Sequence, residues 1–147
     1  MFGGSLRLIA KPVSPELLDR LRVEERFECF NRGELDMMIE PYAEDAVFDV
    51  SNVFADLPPV QGHDAMRRSW SELRETWGEL RLDPHELLDV GDDRYVLDLR
   101  LSVTGRSSGA AVDQGFAFLY TVRGDKIARA ELFSDVDAAI AAAESVT

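Results

Sequence analysis

The chain has 147 residues, 46% of them apolar and 30% charged, with a net charge of −12. That length sets one domain as the expectation, and the composition is that of a globular chain rather than a disordered or fibrous one. The acidic balance argues against nucleic acid and anionic membranes as partners, because both are bound through Lys and Arg.

Cys29 is the single cysteine. No internal disulfide is therefore expected, which fits a reducing, cytoplasmic setting. Its neighbours Phe27 and Phe30 mark it as a packed thiol. The opening MFGGSLRLIAKPV lacks a signal-type apolar core, no apolar run approaches the roughly 20 residues of a membrane helix, and residues 1–13 read as a loose extension of a domain spanning residues 14–147.

Ser14-Pro15-Glu16 carries a cap, a helix-start proline and an acid for the positive end of the dipole. Leu17, Leu18, Leu21, Val23, Phe27 and Phe30 follow at roughly helical spacing, predicting one helix that Gly33 stops. A short second helix covers residues 34–40 and ends at Pro41. Residues 46–50 read as a strand, and residues 51–62 as a loop. Asp64 is the expected cap of a third helix, in which Met66, Trp70, Leu73 and Trp77 make a one-face stripe.

After Trp77 the period becomes two. A strand spans residues 80–90, with Pro84 implying an edge or a bulge. Gly91-Asp92-Asp93 turns the chain. Tyr95, Leu97, Leu99, Leu101 and Val103 then alternate with Val96, Asp98, Arg100, Ser102 and Thr104. Residues 105–109 turn it again, residues 110–122 form a long strand, Arg123-Gly124-Asp125 a hairpin turn, and residues 126–133 the last strand. Ser134 or Asp135 caps a short alanine-rich helix. Segregated helices and strands indicate an α+β fold. The expected form is a cone-shaped roll, with three N-terminal helices on a curved, mostly antiparallel sheet and a short C-terminal helix.

The segment NRGELDMMIEPYAEDAVFDV (residues 31–50) resembles the opening of the ketosteroid isomerase and SnoaL-like families of the nuclear transport factor 2-like superfamily. GHDAMRRSW (62–70) resembles their entry to the third helix, and FLYTVRGDKIARAELFSD (118–135) their final hairpin. The resemblance implies an apolar pocket inside the cone, where a carboxylate or His acts as acid or base beside a hydrogen-bond donor. It calls for no cofactor and no metal. Laid over the family without gaps, its Asp base falls at Val50, its donor Tyr at Arg26 and its second donor at Phe118, so the isomerase roles are empty or displaced.

The candidate catalytic residues are accordingly Asp49, His63, Glu131 and Tyr120. Asp49 faces inward only if a bulge reverses the strand parity, since Phe48 and Val50 otherwise do. Tyr120 shares a face with Phe116 and Phe118. Glu131 and Arg129 share one with Ile127 and Phe133, but Ala128, Ala130 and Leu132 make the opposite face equally apolar. His63 stands at a helix start beside the pocket mouth. The expected pocket lining is Phe27, Phe48, Val50, Trp70, Phe116, Phe118 and Phe133.

Two motifs lead nowhere. Gly105-Arg106-Ser107-Ser108-Gly109 matches a serine-hydrolase elbow, but it joins two strands and no His follows it. His63 and His85 lack metal-ligand spacing. Three uses of the cone stay open: acid–base catalysis (isomerase, cyclase, dehydratase or hydrolase) on a small apolar or aromatic molecule, binding of such a molecule without turnover, and dimerisation. A homodimer is expected through the outer sheet face, with Asp98 and Arg100 meeting their opposites across a two-fold axis.

Overall fold

A computed structural model describes residues 10–104 and 111–145. The first helical region is two helices, α1 (Pro15–Leu21) and α2 (Val23–Asn31), rather than one. Ser14 caps α1 by accepting from the Leu17 amide. The break is at Arg22, which takes a left-handed φ of 55°. No glycine or proline marks it in the sequence. The side chains around it supply the compensation: Arg22 pairs with Glu25, and Arg26 Nε donates to the Leu21 carbonyl at 2.8 Å. A short α3 (Asp36–Ile39) follows, then β2 (Tyr42–Asp49), which starts four residues before the predicted strand.

A two-residue strand, β3 (Val60–Gln61), interrupts the predicted loop and leads into α4 (His63–Trp77). Gly62, not Asp64, occupies the cap position, with φ at 91°. Arg74 of α4 reaches back to α2 and donates to the carbonyls of Phe30 and Asn31, satisfying groups that the helix end leaves open. Asn31 then ties α2 to the sheet by accepting from the Leu82 amide and donating to its carbonyl.

The remaining strands are β4 (Glu79–Gly91), β5 (Arg94–Thr104), β6 (Ala111–Arg123) and β7 (Lys126–Phe133). With the N-terminal β1 (Lys11–Pro12), the described residues form a seven-stranded mixed sheet in the order β1-β4-β5-β6-β7-β2-β3. The sheet is curved and does not close. Lys11 and Pro12 pair with Asp89 and Leu88, and Val13 is buried in the core, so residues 10–13 belong to the folded body rather than to a loose extension. The predicted turn at residues 105–109 lies outside the described residues.

Two register shifts decide which way side chains face. One falls between Pro84 and Glu86, at the bulge that Pro84 implied. Leu80 and Leu82 therefore pack inside, as does Leu87 beyond the shift, while Leu88 and Val90 join the opposite face. The other falls where Val122 opposes Ile127 and Thr121 opposes Arg129, which leaves Ala128 unpaired in the β6–β7 ladder. Ile127 and Leu132 thus pack on the same cluster although their sequence parity differs.

The inner face carries the main core. Trp70 sits at its centre, edge-on to Phe30, Tyr42 and Phe48 at centroid distances of 6.0, 5.9 and 5.3 Å. Each such pair contributes about 0.5–1.5 kcal/mol beyond its buried area. The outer face is partly covered by α5 (Val136–Ser145), whose Ala139, Ile140 and Ala143 pack on Leu88, Val90, Val96, Ala117 and Leu119. Asp135 caps α5 by accepting from the Ala138 amide at 2.8 Å. Arg100, expected to meet a partner's Asp98, pairs within the chain with Asp113 at 2.7 Å.

Candidate functional site

The concave side of the sheet and helices α2 to α4 line a cavity of about 80 Å³. Phe27, Phe48, Val50, Trp70, Phe116 and Phe118 line it. So do residues that the sequence did not single out for it, among them Met38, Tyr42, Phe54 and Trp77. A second compartment of about 340 Å³ lies between α1, α2 and the β6–β7 turn, with Arg20, Arg26, Asp125 and Lys126 among its lining residues. Phe27, Met38, Tyr42 and Tyr120 line both and form the partition between them.

Two tyrosines are the polar side chains that line the first cavity among the described residues. Tyr42 and Tyr120 approach from β2 and β6, and both line it. Burial pushes both phenols above their ordinary value of 10; the neighbouring Tyr42 only partly offsets this at Tyr120. Both are therefore neutral donors at physiological pH, not bases. The ring of Trp70 also lines the cavity. It is 4% exposed, and its Nε1 has no hydrogen-bond partner in the protein. Among the described residues, no charged side chain and no imidazole lines this cavity.

The carboxylates proposed from the sequence lie elsewhere. Asp49 opposes Glu131 across the parallel β2–β7 pair, next to Phe48 opposite Ala130. Phe48 and Ala130 pack into the core, so Asp49 and Glu131 project from the outer face of the sheet. No bulge turns Asp49 inward. It is 7% exposed and accepts from the Ser51 amide at 2.9 Å, the Ser51 hydroxyl at 2.5 Å and Arg129 at 3.2 Å. Burial alone raises its pKa, but the Ser51 donors and the Arg129 charge outweigh that, and the carboxyl is held below its usual value.

Glu131 pairs with Arg129 Nε at 3.3 Å. The unpaired Ala128 is the reason that Arg129 and Glu131 point outward while Ile127 points in. Phe133 shares their face and packs against the α5 cluster, so it does not line the cavity. His63 holds the start of α4 to β2 through a 2.9 Å hydrogen bond between Nε2 and the Tyr42 carbonyl, and it lines neither compartment. Arg26 spends its guanidinium on the Leu21 and Met37 carbonyls and on Glu40, so it has a structural role at the rim.

Residues 23–130 match the family model described as the SnoaL-like domain. The chain belongs to the SnoaL-like family. No curated protein matches it. Among solved structures, TerC co-crystallised with polyporic acid aligns with a TM-score of 0.68 at 19% identity, covering 85% of this chain and 95% of that one. A protein with a ketosteroid isomerase-like fold from Catenulispora acidiphila, in complex with trimethylamine, aligns at 0.67 and 9% identity over 88% and 92%. A putative polyketide cyclase from Xanthomonas campestris aligns at 0.61 and 19% identity over 86% and 96%. Likenesses this distant establish the nuclear transport factor 2-like fold and nothing about the reaction. Among the described residues, no helix is long and apolar enough to cross a membrane, and no three His, Cys, Asp or Glu side chains gather as metal ligands would.

Proposed function

We propose that this SnoaL-like domain takes up a small neutral apolar or aromatic molecule, which it orients through hydrogen-bond donors. The observation that carries this reading is the lining of the inner cavity: among the described residues it is apolar and aromatic, with Tyr42 and Tyr120 as its polar side chains. The second compartment, at about 340 Å³, lies in the 300–1,000 Å³ range usual for small-molecule sites. Among the described residues its one lining carboxylate, Asp125, is exposed on the β6–β7 turn.

General acid–base catalysis needs a group of suitable pKa within reach of the substrate. Asp49 and Glu131 stand on the far side of the sheet, and His63 is engaged with backbone, so binding without carboxylate-driven turnover is the reading favoured over an isomerase or cyclase. Both tryptophans of the chain line the inner cavity, across its partition from the second compartment, and report on a ring bound in that compartment. Titration with naphthalene should give a saturable change in tryptophan fluorescence. The change should be lost in Val122→Trp, which fills the second compartment from β6. A response that is linear in naphthalene, or one that survives Val122→Trp, would overturn the reading.

A further inference from the structure

A helix of seven residues is marginal on its own, so α1 depends on packing to hold it. Its sequence supplies Leu17, Leu18 and Leu21 for that purpose, yet α1 contains no buried residue. Leu17 and Leu18 reach the edge of the core half-buried, and Leu21 is 40% exposed. A hollow lies on each side of the helix. Leu17, Arg20 and Leu21 line the second compartment, of about 340 Å³. Pro15, Leu18 and Asp19 line another hollow, of about 300 Å³, that extends to Pro84 and His85 at the bulge of β4. Val23, Leu87 and Leu97 line both hollows, so α1 crosses a shared floor with space on either side of it.

The two ends of α1 are fastened. Before it, Val13 is buried, and its amide donates to the Leu87 carbonyl at 2.9 Å. After it, Arg22 turns the chain at φ 55°, and Arg26 ties that turn to α3, donating from Nε to the Leu21 carbonyl at 2.8 Å and from Nη1 to the Met37 carbonyl at 2.6 Å. A segment pinned at its ends and underpacked between them opens locally at little cost. The hollow beside Pro84 gives α1 room to draw back. What α1 lacks is an apolar partner, and a molecule in the second compartment would meet Leu17 and Leu21 directly. A cover with a purely structural role would bury those side chains in the free protein.

We infer that α1 is a lid on the second compartment, which draws back to admit a small apolar molecule and closes on it through Leu17 and Leu21. This rests on the binding reading given above and names two residues that hold the ligand. In hydrogen exchange of the free protein, the amides of residues 18–21 should exchange at close to the rate of an unstructured chain, while those of residues 27–31 in α2 are protected. With naphthalene at three times its Kd, exchange at residues 18–21 should slow about fourfold, because an open lid releases the ligand. Leu21→Ala should weaken naphthalene binding at least about fourfold, the effect of one buried methylene, and leave the melting temperature of the free protein unchanged. Three results would each overturn the lid and leave the binding reading standing: residues 18–21 as protected as α2 without ligand, protection that bound naphthalene does not change, or a Leu21→Ala variant that melts lower with its affinity intact. Absence of saturable naphthalene binding would overturn both.

Discussion

Asp49→Asn separates a structural carboxylate from a catalytic one. The side chain is nearly isosteric, and its oxygen can still accept from Ser51. What it loses is charge. Each of the two Ser51 bonds, at 2.9 and 2.5 Å, falls from a charged to a neutral acceptor, a difference of about 1 kcal/mol apiece. The pair with Arg129, itself 42% exposed, contributes at most about 1 kcal/mol more. Burying a neutral amide instead of a charge offsets part of this, which leaves a loss of about 2 kcal/mol. For a chain of this length that is a fall in Tm of roughly 4–8 °C.

Thermal melts at pH 7 check the magnitude, and a pH series checks the cause. The folded-state pKa of Asp49 is depressed from 3.8, so its contribution is complete above that value and disappears as pH falls through the lower folded-state value. The gap between wild type and Asp49→Asn should therefore close in acid. Naphthalene binding at pH 7 should be unchanged. An unchanged melt combined with lost binding would refute the placement of Asp49 on the outer face and return it to the pocket.

Arg94→Met removes a buried guanidinium that donates to the Ala143 carbonyl at 2.8 Å and holds the last turn of α5 against the sheet. The expected cost is about 1–3 kcal/mol, with hydrogen exchange in residues 136–145 rising more than in β5 or β6. Tyrosine ionisation, followed by ultraviolet difference absorbance, should be suppressed in the folded protein. Burial raises Tyr42, Tyr120 and, with help from Asp89 and Asp93, Tyr95 above 10. Their contribution to stability is complete below pH 10 and is lost as pH rises toward the folded-state values. Phenolate should therefore appear together with unfolding; three freely titrating tyrosines near pH 10 in a still-folded protein would contradict the buried pair.

Much of the architecture is legible in the chain because it rests on period. Alternation along Tyr95 to Val103 and the stripe of Met66, Trp70, Leu73 and Trp77 specify faces that must be buried wherever the elements go. The resemblance at residues 31–50, 62–70 and 118–135 joins those elements into one family. The second helix, the meander of four strands and the Asp135 cap follow from local chemistry that neighbouring residues carry themselves.

Facing is another matter, because it depends on how strands pair. Pro84 announces a bulge in β4, but nothing in Ile127-Ala128-Arg129 does so, and apolar residues occur on both of its faces. The shift between Val122 opposite Ile127 and Thr121 opposite Arg129 sends Glu131 outward and brings Leu132 in. Arg22 breaks a helix whose sequence shows no breaker, because side chains of Glu25 and Arg26 hold the left-handed turn. Tyr42 and Tyr120 meet only because β7 lies between β2 and β6 and the sheet curves around α4. The sequence by itself determined, through periodicity, helices packed on a curved sheet, and the resemblance to the SnoaL-like family implied an apolar pocket inside it. Only the tertiary structure decided which polar atoms share its interior, because a strand shifted by a single residue exchanges every group it carries between the cavity and the outer face.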